Sequence, residues 1–389
     1  MQLLVLAGVH FLVDMFASML PAILPAILAE FTLRLSLGGL VLVVLLMTSN
    51  GVQPLVGHMR AGRRRPLFLH LGLILAASIC LLGALPRGGS AFAIMILLAV
   101  VSGCGIAIVH PEALRAVHWL RRIPPATSTA VFMAGGFLGY ASGGAVSALL
   151  VSRFGLQGLY PLIFCPIIGV VIVSLLKVRL AVERKPPGKG RTQTETSGLP
   201  FWLILAMAMP AAVSTTVLAS LLPTVLKELD FELTFGGLST TVFGLGGAGG
   251  SFVWASFARR KGELGCSTAA LLLAIPFLAA YLALIDNKTA IWILFGVGFC
   301  TIAAYTLMIS LSRHATGPTF GQRMGFMVGG TWALAYVIFM ALLPAAEHFH
   351  FETKAILNLT PWGYLLSGVF GLYLMLKARK AAHAIPSGQ

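Results

Sequence analysis

The chain has 389 residues, of which 58% are hydrophobic and 10% are charged, and its mean hydropathy is +0.93. Soluble domains carry about 25% charged residues, so this composition excludes an ordinary soluble protein. The formal net charge is +15, but the basic residues lie in short clusters between apolar segments, which excludes a nucleic-acid-binding surface.

Apolar segments recur along nearly the whole chain, and each exceeds the roughly 18 residues that cross a hydrocarbon core. Because a helix satisfies its own backbone groups in lipid, we predict twelve transmembrane helices, at 3–29, 35–58, 66–85, 91–116, 126–151, 157–177, 200–226, 234–257, 266–285, 289–312, 322–345 and 356–376. The first segment lacks a basic n-region and a small-residue cleavage site, so we interpret it as a retained helix rather than a signal peptide.

The distribution of lysine and arginine supports this count. If both termini are cytoplasmic, the outward loops hold only six of the 27 basic residues, which are Arg34, Arg87, Arg153, Lys227, Lys288 and Lys354. All the others fall in inward loops or at the C-terminus, as the positive-inside rule requires. We therefore expect a multi-pass protein of the inner (plasma) membrane.

The longest polar stretch divides the chain into two halves. It is basic, rich in proline and glycine, and without apolar periodicity, which is typical of a flexible linker. We predict an N-terminal six-helix bundle at 1–177, a cytoplasmic linker at 178–199 and a C-terminal six-helix bundle at 200–389.

Short motifs repeat in the same order in both halves. Ala17–Leu24 (ASMLPAIL) matches Ala219–Leu226 (ASLLPTVL), and Phe132–Gly136 (FMAGG) matches Phe326–Gly330 (FMVGG). Matches in register across a central linker indicate duplication. Parallel six-helix repeats are the architecture of the major facilitator fold.

The loop after the second predicted helix resembles the major facilitator loop motif G-x-x-x-D-R-x-G-R-R. It reads QPLVGHMRAGRRRP, and the matching residues, if two positions are deleted, are Gly57, Arg60, Gly62, Arg63 and Arg64. The acidic residue of the motif is missing. The resemblance implies a gating role for this loop, and the missing acid puts in doubt the latch that it forms with the other half.

Three further segments resemble the fosmidomycin-resistance group of major facilitator transporters. They are His10–Pro21 (HFLVDMFASMLP), His110–Arg115 (HPEALR) and Phe132–Gly143 (FMAGGFLGYASG), although Phe137 replaces the usual amide residue. The resemblance implies proton-coupled efflux of a small polar or anionic, drug-like compound, as in antibiotic resistance. The sequence leaves open a proton-coupled importer of an organic anion or metabolite, and a transport-inactive membrane sensor or scaffold.

Two of the twelve acidic residues, Asp14 and Glu112, lie inside predicted helices. Intramembrane acids are usually functional, so we predict that Asp14 and Glu112 carry protons, with His10 as a relay or substrate contact. His10 and Ser18 lie one turn before and after Asp14 on the same helix face. The alternative for Asp14 is a structural hydrogen bond to a neighbouring helix.

The fourth predicted helix contributes His110, Glu112 and Arg115. Arg115 either binds an anionic group of the substrate or forms an interfacial ion pair with Glu112 that ends the helix. Since the first and fourth helices line the central cavity in the fold that the chain resembles, we predict that the substrate site includes His10, Asp14, Ser18, His110, Glu112 and Arg115.

The second half has no charge inside a predicted helix apart from Arg323, which lies at a helix start beside the inward loop. Thr216 and Tyr305 are the repeat counterparts of Asp14 and His110, so we add them as neutral substrate contacts, although hydroxyls in membrane helices are more often structural. In the fifth helix, Gly135, Gly136, Gly139 and Gly143 predict close packing against a neighbouring helix at the interface between the halves.

The sequence lacks HExxH, GxSxG and GxxxxGK motifs, so we expect neither an enzyme nor a nucleotide-binding protein. Cysteine spacing predicts no metal site. We expect a monomer without a cofactor, whose partners are a small-molecule substrate, protons and the lipid bilayer.

Overall fold

A computed structural model describes residues 1–60, 64–120, 122–123, 125–181, 199–318, 323 and 326–383. Every regular element within these residues is helical, and their one extended pairing is an isolated bridge between Pro200 and Thr316. The first half contains α1 (Gln2–Glu30), α2 (Leu35–Gly51), α3 (Gln53–Arg60), α4 (Leu67–Ala76), α5 (Ala91–Trp119), α6 (Pro125–Phe154) and α7 (Phe164–Leu175). Two 3₁₀ segments, Ala77–Ala84 and Gly155–Ile163, directly follow α4 and α6.

The second half is also helical. It contains α8 (Phe201–Glu228), α9 (Leu233–Lys261), α10 (Glu263–Ala283), α11 (Ile291–Ser312), α12 (Thr331–His348), α13 (Thr353–Leu357) and α14 (Thr360–His383). A π-helical turn at Phe326–Gly330 precedes α12. The repeated FMxGG motif therefore has different local structures, since its first copy lies inside the α-helix α6.

By length and composition, nine helices within the described residues can cross a membrane. The prediction of an all-α, multi-pass membrane protein is confirmed. One of the nine is a stretch of 45 residues, Val131–Leu175, and α2 is a shorter apolar helix outside the nine. These helices are apolar around much of their circumference because one side contacts lipid and the other contacts neighbouring helices.

The chain divides into two compact units. The first comprises Met1–Arg191, Ala219–Gly244 and Tyr336–Thr353, and the second comprises Thr192–Leu218, Leu245–Ala335 and Lys354–Gln389. The first unit thus includes parts of α8, α9 and α12 in addition to α1–α7.

Within the first unit, α1 is the central helix. Most of its apolar side chains are buried, including Leu6, Val13, Phe16 and Ile23. It packs most extensively against α6 and also contacts α2, α4, α5 and α7. Polar groups placed on α1 therefore face other helices rather than lipid.

The contact of α1 with α6 depends on small residues at four-residue spacing on α6. A Cβ atom at Gly135, Gly139 or Gly143 would overlap the carbonyl oxygen of Ala7, Phe11 or Met15, respectively. Gly136 faces the side chains of His10 and Asp14. These four glycines thus approach α1, whereas the sequence predicted an interface between the halves. In the same unit, Gly144 approaches Thr240 and the carbonyl oxygen of Gly237.

The first unit includes segments from the second half of the sequence, and two acidic side chains in these segments accept hydrogen bonds within the unit. Glu347 Oε1 accepts the backbone N–H of Ser36 at 2.8 Å, next to the N-terminus of α2. A carboxylate there is favoured by the partial positive charge of the helix end. Glu228 Oε1 accepts the hydroxyl of Thr353 at 2.8 Å.

Within the second unit, α10 packs against α11 and α14. The hydroxyls of Thr215 and Tyr364 are 2.9 Å apart, and Ser367 Oγ accepts the backbone N–H of Ala211 at 2.9 Å. A Cβ at Gly363 would overlap Ser214 Oγ. Hydroxyl groups and a small residue thus hold α14 against α8.

We expect Gly139→Ala to destabilise the protein, because the added Cβ overlaps backbone atoms of α1 that cannot rotate away. Overpacking of this kind costs about 1–3 kcal/mol. Gly8→Ala is the matched control, since a Cβ at Gly8 meets no atom within 4 Å. Thermal unfolding in detergent should show a lower Tm for the first variant and an unchanged or higher Tm for the second. A Tm for Gly139→Ala at or above wild type would contradict the packing described.

Candidate functional site: a carboxylate between two imidazoles

Asp14, near the middle of α1, lies between two histidine side chains. Its Oδ2 is 3.2 Å from His10 Nε2, one turn earlier on α1, and its Oδ1 is 3.0 Å from His110 Nε2 on α5. The two imidazole rings are perpendicular, with centroids 5.1 Å apart. All three residues belong to the first unit. We refer to His10, Asp14 and His110 as the triad.

Each imidazole is also held at its other nitrogen by a backbone carbonyl. His10 Nδ1 lies 2.8 Å from the carbonyl oxygen of Phe132, and His110 Nδ1 lies 2.9 Å from that of Ile106. The His10 ring stacks on Phe132, with centroids 4.1 Å apart and an interplanar angle of 12°. These contacts fix both rings so that their Nε2 atoms converge on one carboxylate.

The triad is enclosed but not sealed. The side chain of His10 is 4% exposed, whereas those of Asp14 and His110 are 20% and 22% exposed. A Cβ at Gly136 would overlap the His10 ring and the Asp14 carboxylate, so only glycine leaves room for the triad at this position. Asp14 therefore points toward α5 and α6 and not into lipid.

The triad makes four nitrogen–oxygen contacts, and all four oxygens belong to carbonyls or a carboxylate. Such oxygens only accept hydrogen bonds unless the carboxylate is protonated. Two neutral imidazoles supply two hydrogens, so an ionised Asp14 leaves two contacts unsatisfied. Two additional protons satisfy all four contacts and change the charge of the triad from −1 to +1. The arrangement therefore favours binding of protons or of another electron-pair acceptor.

Glu112 and Arg115 lie one turn apart at the C-terminal part of α5 and form an ion pair. Arg115 donates from Nη1 to Glu112 Oε1 at 3.0 Å, and Glu112 is 1% exposed. Arg115 Nε and Nη2 donate to the carbonyl oxygen of Ala181 at 3.0 and 2.8 Å. The backbone N–H of Ala181 in turn donates to the carbonyl oxygen of Arg115 at 3.1 Å. Arg115 thus anchors the segment that follows α7.

The remaining residues predicted to contact substrate, Ser18, Thr216 and Tyr305, have neutral hydroxyl groups and lie outside the triad. Ser18 donates to the carbonyl oxygen of Met15 at 3.1 Å. In the second unit, Tyr305 donates to the carbonyl oxygen of Met327 at 2.5 Å. Thr216, in the same unit, is buried, and its Oγ1 has no hydrogen-bond partner among the residues that the structure describes. Ser18 and Tyr305 therefore bind backbone, whereas the hydroxyl of Thr216 has no protein partner there.

The residues of the loop motif are only partly described. Gly62 and Arg63 lie outside the described residues, as does the side chain of Arg60, whereas Gly57 lies in α3. Arg64 is exposed, and its carbonyl oxygen accepts the backbone N–H of Leu180 at 3.0 Å. A gating role for this loop stays a prediction.

The sequence predicted the three triad residues but not the groups that orient them. The carbonyl oxygens of Phe132 and Ile106 carry no sequence signal of their own. Gly136 was expected to serve helix packing, and its contact with the triad is a second role. The signals that pointed to this part of α6 were the repeated FMxGG motif, the spacing of the glycines and the family resemblance of Phe132–Gly143.

Known proteins resemble the chain in sequence. It is 25% identical over 370 residues to the uncharacterized MFS-type transporter YfnC of Bacillus subtilis (strain 168), which covers 88% of this chain and 87% of that protein. It is also 25% identical over 165 residues to the fosmidomycin resistance protein of Escherichia coli (strain K12). That match covers 42% of this chain and 40% of the relative.

A solved structure shares the fold. The crystal structure of a bacterial homologue of the iron transporter ferroportin, in an outward-facing state, aligns with a TM-score of 0.60 and 16% identity. The alignment covers 96% of this chain and 99% of that one. At this identity the likeness concerns the fold alone.

Family membership follows from a match over most of the chain. Residues 6–340 match the Major Facilitator Superfamily. The resemblance inferred from the sequence is thereby confirmed. The chain belongs to the Major Facilitator Superfamily and is a transporter, not an enzyme.

Proposed function

We propose that the chain is a secondary active transporter that exports a small polar or anionic compound across the inner membrane in exchange for protons, by alternating access. The observation that carries the proposal is the triad, in which a carboxylate inside a membrane helix contacts two imidazoles at 3.0 and 3.2 Å. Ionisable groups in this setting are costly and mark substrate or proton pathways. The relationship to a fosmidomycin resistance protein favours efflux of a drug-like compound.

The proposal includes twelve membrane spans in two six-helix bundles, at 1–177 and 200–389, joined by the linker at 178–199. The stretch Val131–Leu175 is long enough for two crossings, since one takes about 20 residues. Adding α2 and the 29-residue helix α9 to the nine candidate helices then gives twelve. An even count puts both termini on one side, and the distribution of basic residues makes that side cytoplasmic.

Exchange follows from competition for the same atoms. Protons satisfy the contacts between the Nε2 atoms and the carboxylate, and O–H or N–H donors of a substrate can satisfy them equally well. Binding of one then excludes the other, which is the requirement for antiport. On the predicted repeat, Thr216 and Tyr305 are the counterparts of Asp14 and His110, and we propose them as neutral substrate contacts from the second half.

In the alternative function, import, the triad would bind protons and the substrate together. With two added protons the triad carries a net charge of +1 and attracts an anion, so that proton and anion would move together. The direction of proton movement on addition of substrate therefore distinguishes the two transporters.

We expect Asp14→Asn to abolish substrate-driven proton flux in proteoliposomes, because the amide can neither ionise nor exchange a proton. The flux should fall to the level of empty vesicles across a panel of phosphonates, organic acids and cationic drugs. Glu263→Gln is the matched control, since Glu263 lies at the start of α10 and accepts from Ser310. Unchanged uphill transport in Asp14→Asn would remove Asp14 from the mechanism. Absence of flux in the wild type with every compound would favour the sensor or scaffold.

We expect Arg115→Ala to lower stability by about 1.5–3 kcal/mol, because it removes charged donors from Glu112 and from the Ala181 carbonyl. The apparent KM of transport should stay within twofold of wild type (about 0.4 kcal/mol) if Arg115 anchors the chain and does not bind substrate. Arg87→Ala is the control, since Arg87 is 79% exposed in its pair with Glu30 and such pairs contribute little. A large rise in KM without loss of Tm would instead make Arg115 a substrate contact.

A further inference from the structure

The triad has the composition of a metal-binding site. His10, Asp14 and His110 each offer a ligand atom, and these atoms all lie within 4.8 Å of one another. Two imidazoles and one carboxylate are ligands typical of divalent first-row transition cations. The sequence predicted no metal site, because that prediction rested on cysteine spacing and treated His10, Asp14 and His110 as proton and substrate contacts.

We propose that the triad binds a divalent transition cation of the Zn²⁺ type through His10 Nε2, His110 Nε2 and the Asp14 carboxylate. Two atoms bound to one zinc ion at about 2.1 Å lie about 3.0–3.4 Å apart. The contacts of Asp14 with His10 and His110, at 3.2 and 3.0 Å, already have this spacing. Because the two contacts use different carboxylate oxygens, Asp14 would bind the ion through both oxygens, or would turn so that one oxygen lies between the two imidazoles.

The carbonyl groups that contact the two imidazoles are also arranged as they are around a metal site. A ligating histidine usually donates its other ring N–H to a carbonyl or carboxylate, which fixes the tautomer and turns the lone pair toward the metal. His10 Nδ1 lies 2.8 Å from the carbonyl oxygen of Phe132, and His110 Nδ1 lies 2.9 Å from that of Ile106. Since a carbonyl oxygen only accepts, these contacts assign the hydrogen to Nδ1 of both rings. In this tautomer both Nε2 lone pairs face the carboxylate, and a cation placed between them converts repulsion into coordination.

Charge also favours the ion. A divalent cation brings the ionised triad from −1 to +1, and no further hydrogen is needed to satisfy its four nitrogen–oxygen contacts. About one fifth of the side-chain surface of Asp14 and of His110 is exposed, which leaves room for one further ligand, such as water or a substrate oxygen. The ion would join α1 to α5, since its ligands lie on both helices.

The inference goes beyond proton exchange and is tested on binding alone. The full-length chain, free of an affinity tag, is purified and titrated with Co²⁺, whose visible absorption reports a site of low coordination number. We expect one Co²⁺ per chain, its displacement by Zn²⁺, and a rise in Tm on addition of Zn²⁺. His10→Asn, Asp14→Asn and His110→Asn, tested singly, should each weaken Co²⁺ binding at least tenfold.

Two control variants test three of the seven histidines outside the triad. His70→Asn changes a histidine of α4 whose Nε2 lies 3.5 Å from Ser174 Oγ, outside the triad. His348→Asn combined with His350→Asn changes two exposed histidines at the end of α12. Both should bind Co²⁺ as the wild type does.

Melting curves without metal identify which triad variants are folded, and one folded variant is enough for the comparison. Absence of the Co²⁺ absorption band in the wild type overturns the inference by itself, as does an equal loss of binding in His70→Asn. Such a result, with proton flux still dependent on Asp14, would leave the proposed function intact. Conversely, Co²⁺ binding without proton flux would support the metal site and contradict proton exchange.

Discussion

The four oxygen contacts of the triad impose the constraint on which the functional account depends. Two imidazoles are fixed between acceptor oxygens on both sides, and two neutral rings have only half of the hydrogens that these contacts require. In water the deficit would be met by solvent. Inside a membrane protein, an unsatisfied polar contact costs about 1–3 kcal/mol. The site is therefore more stable when it holds protons, a cation or the donors of a substrate.

This constraint is maintained by helix packing. The carbonyl of Phe132 belongs to α6, and it reaches His10 because α6 approaches α1 through glycines at four-residue spacing. Gly136 leaves the space that the His10 ring and the Asp14 carboxylate occupy. His110 is held by its own helix, through the carbonyl of Ile106, one turn earlier. A shift of α1 against α6 or α5 would change the contacts of Asp14, which gives a physical route from helix movement to proton or ligand release.

The sequence revealed the fold class because lipid enforces it: long apolar segments have to be helical, and alternating clusters of basic residues orient them. It also revealed His10 and Asp14, since spacing along one helix predicts their proximity. The convergence of His110 on Asp14 was a hypothesis drawn from family resemblance, and the backbone carbonyls that orient both rings were not foreseeable. The role of Arg115 could not be predicted, because nothing in the local sequence pattern indicates that its guanidinium binds the carbonyl of Ala181.

The most direct test of the central claim is the protonation of the two histidines, measured by ¹⁵N NMR on histidine-labelled protein in bilayers and assigned with His10→Asn and His110→Asn. For protein free of metal and substrate, the account predicts hydrogen on Nδ1 of both rings, and a further hydrogen on Nε2 of at least one ring or shared between that nitrogen and Asp14. Two neutral rings with hydrogen on Nε2 and none on Nδ1 would contradict it, because both Nδ1 atoms would then face carbonyl oxygens without a hydrogen between them.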